Sequence, residues 1–393
     1  MAGRDDRPDS ARGSADAPGT PLPATLARTL AWLREHLSEK ADLAQLASIA
    51  GVRPRTLETH FRVYLRTTPT EWVRRMRLAQ ARRELQRARD DASVTAIALE
   101  SGFNQLGRFA AQYRALFGET PSATLRHSRR SAAVRNFDVD DEALRLTWQA
   151  MPNAFAIAPG ECSKALETLA RASELAPGYG LPVALAAWCW AQRAAHGFSA
   201  TPRQDAEQAL RLAVQAQKLA ANDALALTLA SGALTLRHQL DEADRLLERA
   251  LAIDPWQPYA WVRRGWASAY GGDPHAAQRE LHIALHLSPL GPMRDIASIG
   301  MGCAHFACER YEAAARWVQS GTKAFPGGFW ADRVTAAAAV HAGARDEARR
   351  IARRLMRKDP HLTADRARTA WPFPAAFMAR LGDGLEIAGV PRS

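Results

Sequence analysis

The sequence predicts an all-α fold in two parts, a double helix-turn-helix domain followed by an α-solenoid of helical hairpins, and three observations predict it. The stretch VTAIALESGFNQLGRFAAQYRALFGETP, residues 94–121, reads as two short helices joined by a tight turn at Gly102, where positive φ or close backbone approach is needed. Its landmarks Ala98, Gly102, Phe103, Phe109 and Tyr113 echo Ala47, Gly51, Val52, Leu57 and Phe61 at an offset of 51 or 52 residues, so the helix pair occurs twice. Beyond residue 140 a different repeat, close to 34 residues, sets small and apolar triads on successive turns of one helix face.

Taken in order, residues 1–24 are rich in Asp, Arg, Gly, Pro, Ser and Ala, with few large apolar side chains to offset ordering entropy. They predict a disordered arm of net charge −1. The first domain follows at 25–130. In its first copy Asp42 and Gln45 have the spacing of a capping box ahead of LAQLASIA. Pro54 opens the second helix, with Leu57, Phe61 and Leu65 inward and Arg55, Thr56, Glu58, Thr59 and Arg62 outward. Pro69, capped by Thr68, heads a long basic helix that joins the copies. In the second copy Ser93 caps a helix that buries Ile97, Ala98 and Ser101. The helix after it buries Phe109, Tyr113 and Leu116 and leaves Gln105, Arg108, Gln112 and Arg114 for other faces.

The ordered set of LAxxAGV at 46–52, Leu57-x-x-x-Phe61, Pro69 at the head of the linking helix, SVTAIALESGF and a closing FGETPS resembles the DNA-binding domain of the AraC/XylS family of bacterial transcription regulators. The resemblance covers about residues 25–130. It implies double-stranded DNA as the partner, with base contacts on the first turns of each second helix: Arg55, Thr56 and Thr59 in the first copy, Gln105 and Arg108 in the second. Arg pairs bidentately with guanine, and Thr donates, accepts or touches a thymine methyl. Glu58 accepts from cytosine or is a solvated partner of Arg55 or Arg62. The family often has Arg where Thr59 stands. Ala110 and Ala111 stand where relatives often carry Ser and Arg, which shifts that head toward readout by van der Waals contact and shape. Arg74, Arg75, Arg82 and Arg83 on the linking helix, with Arg126, Arg129 and Arg130, suit phosphate contacts. In the usual family arrangement an effector-binding β-barrel precedes the DNA domain; here that domain comes first, so sugar-type effector binding is not carried over.

Charge follows the same division. Residues 25–130 hold 19 Lys and Arg against 10 Asp and Glu, a net +9 of the chain's +11, whereas 131–393 hold 30 against 27. A basic domain beside a nearly neutral one predicts that only the first meets a polyanion. The basic residues ride on helices whose apolar faces are committed to a core, which argues against a membrane surface.

Residues 131–140 read as a linker and 141–393 as the solenoid. Its triads include Ala243, Leu247, Ala250 and Ala277, Leu281, Ala284, and five of six are followed five residues later by proline, as at Pro255 and Pro289. With Trp261 and Gly265 they resemble the tetratricopeptide (TPR) pattern from about 141 to 360. Gly265 and Gly302 let paired helices approach closely, and Trp and Leu fill the gaps between hairpins. An insertion of about ten residues, AHGFSATPRQ, lengthens the second repeat, and three extra residues near LGPMRD lengthen the fifth. Residues 361–393 read as a cap over the last apolar face. The concave surface of such a solenoid suits a protein or peptide partner, RNA polymerase among the candidates, or an unknown small effector.

No run of 18 apolar residues and no apolar leader is present, which predicts a cytoplasmic protein. The four cysteines, in apolar helical contexts without CxxC pairing, read as buried reduced thiols. His282 and His286 share a helix face but lack a HExxH-type glutamate or a third ligand, so no metal or other cofactor is expected. Paired carboxylates, a GxSxG elbow and a phosphate-binding glycine loop are absent, so an enzyme is not expected. The sequence therefore reads as a DNA-binding transcription regulator whose second half receives a signal. The alternative is a TPR scaffold whose basic domain tethers nucleic acid without sequence preference.

Overall fold

The computed structural model describes residues 23–39, 41–65, 67–87, 92–134, 141–158, 160–288 and 292–393, and among these every regular element is helical. The arm at 1–22 and most of the linker at 135–140 lie outside the described residues. The first domain runs α1 (Ala24–Glu35), α2 (Leu43–Ala50), α3 (Pro54–Leu65), α4 (Pro69–Arg87), α5 (Val94–Glu100), α6 (Leu106–Phe117) and α7 (Pro121–Val134). Its caps are the expected ones. Asp42 accepts from the Gln45 amide at 2.8 Å, Thr68 from Glu71 at 3.2 Å and Ser93 from Ala96 at 3.0 Å, each satisfying an N–H that the first helical turn leaves over. Gly102 has φ +81°, and a Cβ there would stand 2.8 Å from the Ser38 carbonyl, so both properties of glycine are used at this turn.

The seam of α6 differs by one residue from the expected one: Phe109, Tyr113 and Phe117 are buried, while Leu116 is half-buried. The spacing i, i+4, i+8 lets the three rings step along one face, with Phe109–Tyr113 centroids 5.7 Å apart and Tyr113–Phe117 4.6 Å apart. Tyr113 hydrogen-bonds Thr124 of α7 at 2.9 Å, and burial pushes its phenol up to about 12.

The second half is a stack of TPR-like hairpins: α8 (Asp141–Phe155) with α9 (Glu161–Leu175), α10 (Gly180–His196) with α11 (Pro202–Leu219), α12 (Ala224–Leu236) with α13 (Leu240–Ile253) and α14 (Pro258–Tyr270) with α15 (Pro274–Leu287). The stack continues as α16 (Pro292–Ala307) with α17 (Tyr311–Ala324), a 3₁₀ turn (Pro326–Ala331), α18 (Asp332–His341) with α19 (Arg345–Lys358), and α20 (Ala364–Thr369) with α21 (Ala375–Ile387). Each triad lies on the second helix of its hairpin and is buried against the first. The first helices α10, α12, α14, α16 and α18 stand side by side as an inner row, buried on nearly every side. Cys162, Cys189 and Cys303 are buried among them, and Cys303 is pushed up to about 12 by burial, which keeps it a thiol.

The inside of the solenoid is not an open groove. Trp188 lies 6.3 Å from Tyr259, and Trp266 of α14 meets Trp330 at 6.3 Å and Phe373 at 6.4 Å. Phe373 also stacks on Phe377 at 4.0 Å. Residues 371–377 thus do more than cap the last hairpin: they turn inward and fill the concave side with rings. His196 at the end of α10 lies 4.7 Å from Trp330, so the coil closes on itself between its second and sixth hairpins.

Close approach within a hairpin depends on glycine. A Cβ on Gly265 would stand 2.5 Å from Leu281 Cγ, and one on Gly302 would overlap Val318 Cγ2 and approach the Ala314 carbonyl to 2.9 Å. Gly302→Ala is expected to cost about 1–3 kcal/mol through overpacking. Gly178→Ala, where a Cβ meets nothing within 4 Å, is the neutral control. Urea midpoints of the full chain check this, and equal midpoints for the two variants would contradict it.

Candidate nucleic-acid interface

The two heads are held by one helix. Phe61 of α3 packs against Trp72 of α4 at 6.5 Å, while Leu78, Ala81 and Leu85 further along α4 enter the core of the second head. Arg77, between these two stretches, ties the halves together: its guanidinium donates to the carbonyls of Leu37 at 2.8 Å, Glu39 at 2.6 Å and Gly102 at 3.2 Å. Arg77 was not singled out from the sequence, because nothing in its spacing separates it from the five other arginines of the same basic helix. Arg28 plays a similar part in the first head, donating to the Ala50 carbonyl at 2.7 Å beside the Gly51 turn.

Against this frame the expected base-reading residues fall into two groups. Arg55, Thr56 and Thr59 are all exposed on the first two turns of α3, opposite the buried Leu57 and Phe61. The Thr59 hydroxyl donates to the Arg55 carbonyl at 2.9 Å, leaving its lone pairs and methyl outward. Gln105 and Arg108 are exposed at the start of α6, and Gly107 between them has open space around it, so a flat partner can come close to the backbone. Gln105, Arg108 and Gln112 line a cleft of about 370 Å³ with Arg74 and Arg77 of α4. Three guanidinium groups, those of Arg74, Arg77 and Arg108, lie around this opening.

The expected phosphate contacts divide differently. Arg74 faces that cleft, although it also pairs with Glu71, and Arg126 is exposed on α7. Arg129 and Arg130 have side chains outside the described set. Arg82 does not face solvent: it is 4% exposed, lies 4.4 Å over the Phe117 ring and reaches Glu119 at 3.5 Å. Burial lowers its guanidinium pKa, the cost of using a cation as core packing for the second head. Arg83 and Arg75 turn toward the solenoid. Arg83 pairs with Asp254 at 3.6 Å, and Arg75 lines an opening with Arg249 and Arg264 after pairing with Glu71 at 2.8 Å.

That contact between halves is built on aromatic packing. Trp72, 3% exposed, meets Trp256 at 6.0 Å and Trp261 at 6.3 Å, and Arg34 lies 5.7 Å over Trp256. The apolar core of the first head is continuous with that of the solenoid, whereas the second head has its own core, touched from the solenoid by Ile253.

Residues 46–127 match a family model described as a helix-turn-helix domain. The chain is 38% identical over 107 residues to the XylDLEGF operon transcriptional activator of Pseudomonas putida, a match covering 27% of this chain and 33% of that protein. It therefore spans about a third of the length of that relative. The solved DNA-binding domain of AdpA, in complex with a target DNA, is 31% identical, with 30% of this chain and 97% of that chain covered and a TM-score of 0.26. A tetratricopeptide repeat protein from Parabacteroides merdae aligns over 63% of this chain and all of its own at 13% identity and a TM-score of 0.36.

Arg77→Met keeps the stem of the side chain and removes three donated hydrogen bonds. Bonds from a charged group are worth about 1.5–3 kcal/mol each, less where water can replace them. The variant is expected to lose on the order of 2 kcal/mol of stability of the first domain, with faster amide exchange at the Gly102 turn. Unchanged exchange there, measured by hydrogen–deuterium exchange, would contradict the tie. With its landmarks in place from Ala47 to Pro121, the first domain is a helix-turn-helix domain of the AraC/XylS type, and α8–α21 form a TPR-like solenoid.

Proposed function

We propose that the protein is a sequence-specific DNA-binding transcription regulator whose TPR-like solenoid receives a signal and passes it to the reading heads. The observation that carries the reading is the pair of exposed helix starts, Arg55, Thr56 and Thr59 on α3 and Gln105 and Arg108 on α6, fixed to one rigid rod by Arg77. A helix presenting such side chains can enter a major groove, and two on one rod can enter successive grooves of double-stranded DNA. Arg74 and Arg126 then serve as phosphate contacts. The resemblance to a transcriptional activator of Pseudomonas putida supports the same reading.

For the signal, support comes from the contact between halves. Trp72 belongs at once to the helix that spaces the heads and to the aromatic group on Trp256 and Trp261, so a shift of α13 or α14 moves the first head relative to the second. The packed concave side disfavours an extended peptide there and favours a small molecule or a partner on the outer helices.

Selection of bound sites from random DNA by the full-length protein tests the DNA assignment directly. On the selected site, Arg55→Ala and Arg108→Ala are each expected to cost about 1–3 kcal/mol and to relax preference at one or two base pairs. Arg126→Ala is expected to weaken all sequences alike and to lower the slope of log K against log salt by about 1. Recovery of no preferred sequence, with uniform losses in all three variants, would instead indicate a scaffold that tethers nucleic acid.

A further inference from the structure

The ten-residue insertion AHGFSATPRQ has a place in the structure. It carries the chain from α10 into α11, and there it forms one wall of a cavity of about 610 Å³, a size within the roughly 300–1,000 Å³ of small-molecule sites. The opposite wall comes from the other end of the solenoid: Trp330 of the 3₁₀ turn, Arg333 of α18, and the connection from α19 to α20. The cavity thus sits where the coil closes on itself. It exists only because the insertion and the C-terminal segment meet.

Its lining combines two chemistries. His196, Phe198 and Trp330 supply rings, with the His196 and Phe198 rings stacked at 5.5 Å, while Leu362 and Pro202 add apolar surface. Arg333, Lys358 and Arg366 supply three cations against the single carboxylate of Asp359, which Arg333 engages at 3.1 Å. Trp330 is 6% exposed and Arg333 9% exposed, so the inner wall is dry. Behind that wall the Trp330 indole N–H and His196 Nδ1 are buried away from solvent without a hydrogen-bond partner. Burial and the neighbouring Arg333 hold the His196 imidazole down to about 3, so it adds no charge at neutral pH and serves as a flat polar ring.

We propose that this cavity is the receiver of the solenoid, binding a small organic anion whose flat apolar body lies against Trp330 and His196 and whose acidic group meets Arg366 and Lys358 at the rim. The proposal rests on the regulator reading given above and names the ligand class for it. The excess of cations selects the anion, and the rings select a planar body. An extended polyanion is disfavoured by shape, since the insertion and the last hairpins wall the cavity on two sides. Occupation would join the insertion to the last hairpins and so stiffen the closed coil on which Trp256 and Trp261 are carried.

The probe for the test is 8-anilinonaphthalene-1-sulfonate, an aromatic organic anion, compared with uncharged N-phenyl-1-naphthylamine, on the full-length protein. The sulfonate is expected to bind one saturable site at least tenfold more tightly than the neutral amine. Arg366→Gln with Lys358→Gln, both exposed at the rim, should cut sulfonate affinity at least fivefold and leave the amine unchanged. Ser199→Trp, placed in the insertion to fill the cavity, should abolish both. Equal affinity for the two probes, several weak sites, or indifference to the rim and filling variants would overturn the proposal. Site selection on DNA runs in parallel with the same protein: anion binding without a preferred DNA sequence sinks the regulator reading alone, and DNA selectivity without anion binding sinks the cavity alone.

Discussion

Trp72 is the side chain on which the arrangement of the molecule depends. It faces Phe61 of the first recognition helix on one side and Trp256 and Trp261 of the solenoid on the other, at centroid distances of 6.0–6.5 Å. Large rings at these separations contribute both buried area and edge-to-face attraction, and no pair of surface charges offers comparable strength. The nearby Arg83–Asp254 pair at 3.6 Å is half solvated and sets orientation more than stability. An arrangement held by rings permits small rotations without loss of contact, and the closing of a rigid ion-pair network would not.

The arginines show how one residue type is divided among tasks by burial alone. The linking helix carries six of them, at positions 74, 75, 77, 82, 83 and 87, and the sequence alone assigns Arg74, Arg75, Arg82 and Arg83 to phosphate. In the structure Arg77 ties backbone carbonyls, Arg82 packs on Phe117, Arg75 and Arg83 face the solenoid, and Arg74 lines the cleft of the second head. Guanidinium is suited to this spread because it is planar and weakly hydrated, stacking on rings as readily as it meets an oxygen. The net charge of the domain therefore overstates the charge a polyanion would meet.

Much of the fold was legible because its signals are local. Asp42, Thr68 and Ser93 announce helix starts, Gly51 and Gly102 announce turns, and the triads of the second half mark the buried face of each second helix. The exposed positions Arg55, Thr56, Thr59, Gln105 and Arg108 were legible for the same reason, since helix periodicity fixes which side faces out. What spacing does not encode is distance across the fold. The burial of Arg82, the role of Arg77 and the inward turn of Trp371 and Phe373 each depend on residues from 25 to more than 100 positions away, and a helix of small residues gives no sign of how tightly its stack will wind.

The tight winding has its own cause. The inner helices are rich in small residues, with α12 reading ALALTLASGALTL, and the space a Cβ on Gly232 would take is held by the Trp188 ring of the hairpin before it. A row built this close curves strongly, and its concave side becomes too narrow for an extended partner yet wide enough for the chain's own tryptophans and phenylalanines. Those rings, Trp266, Trp330 and Trp371 among them, then bury their area without needing a ligand. Where the winding brings the second hairpin to the sixth, the insertion after α10 meets the C-terminal segment, and polar and charged groups collect around the space between them. A longer or shorter insertion would alter that space without disturbing any repeat, and the heads, the rod and the tryptophan contact would stay unaltered.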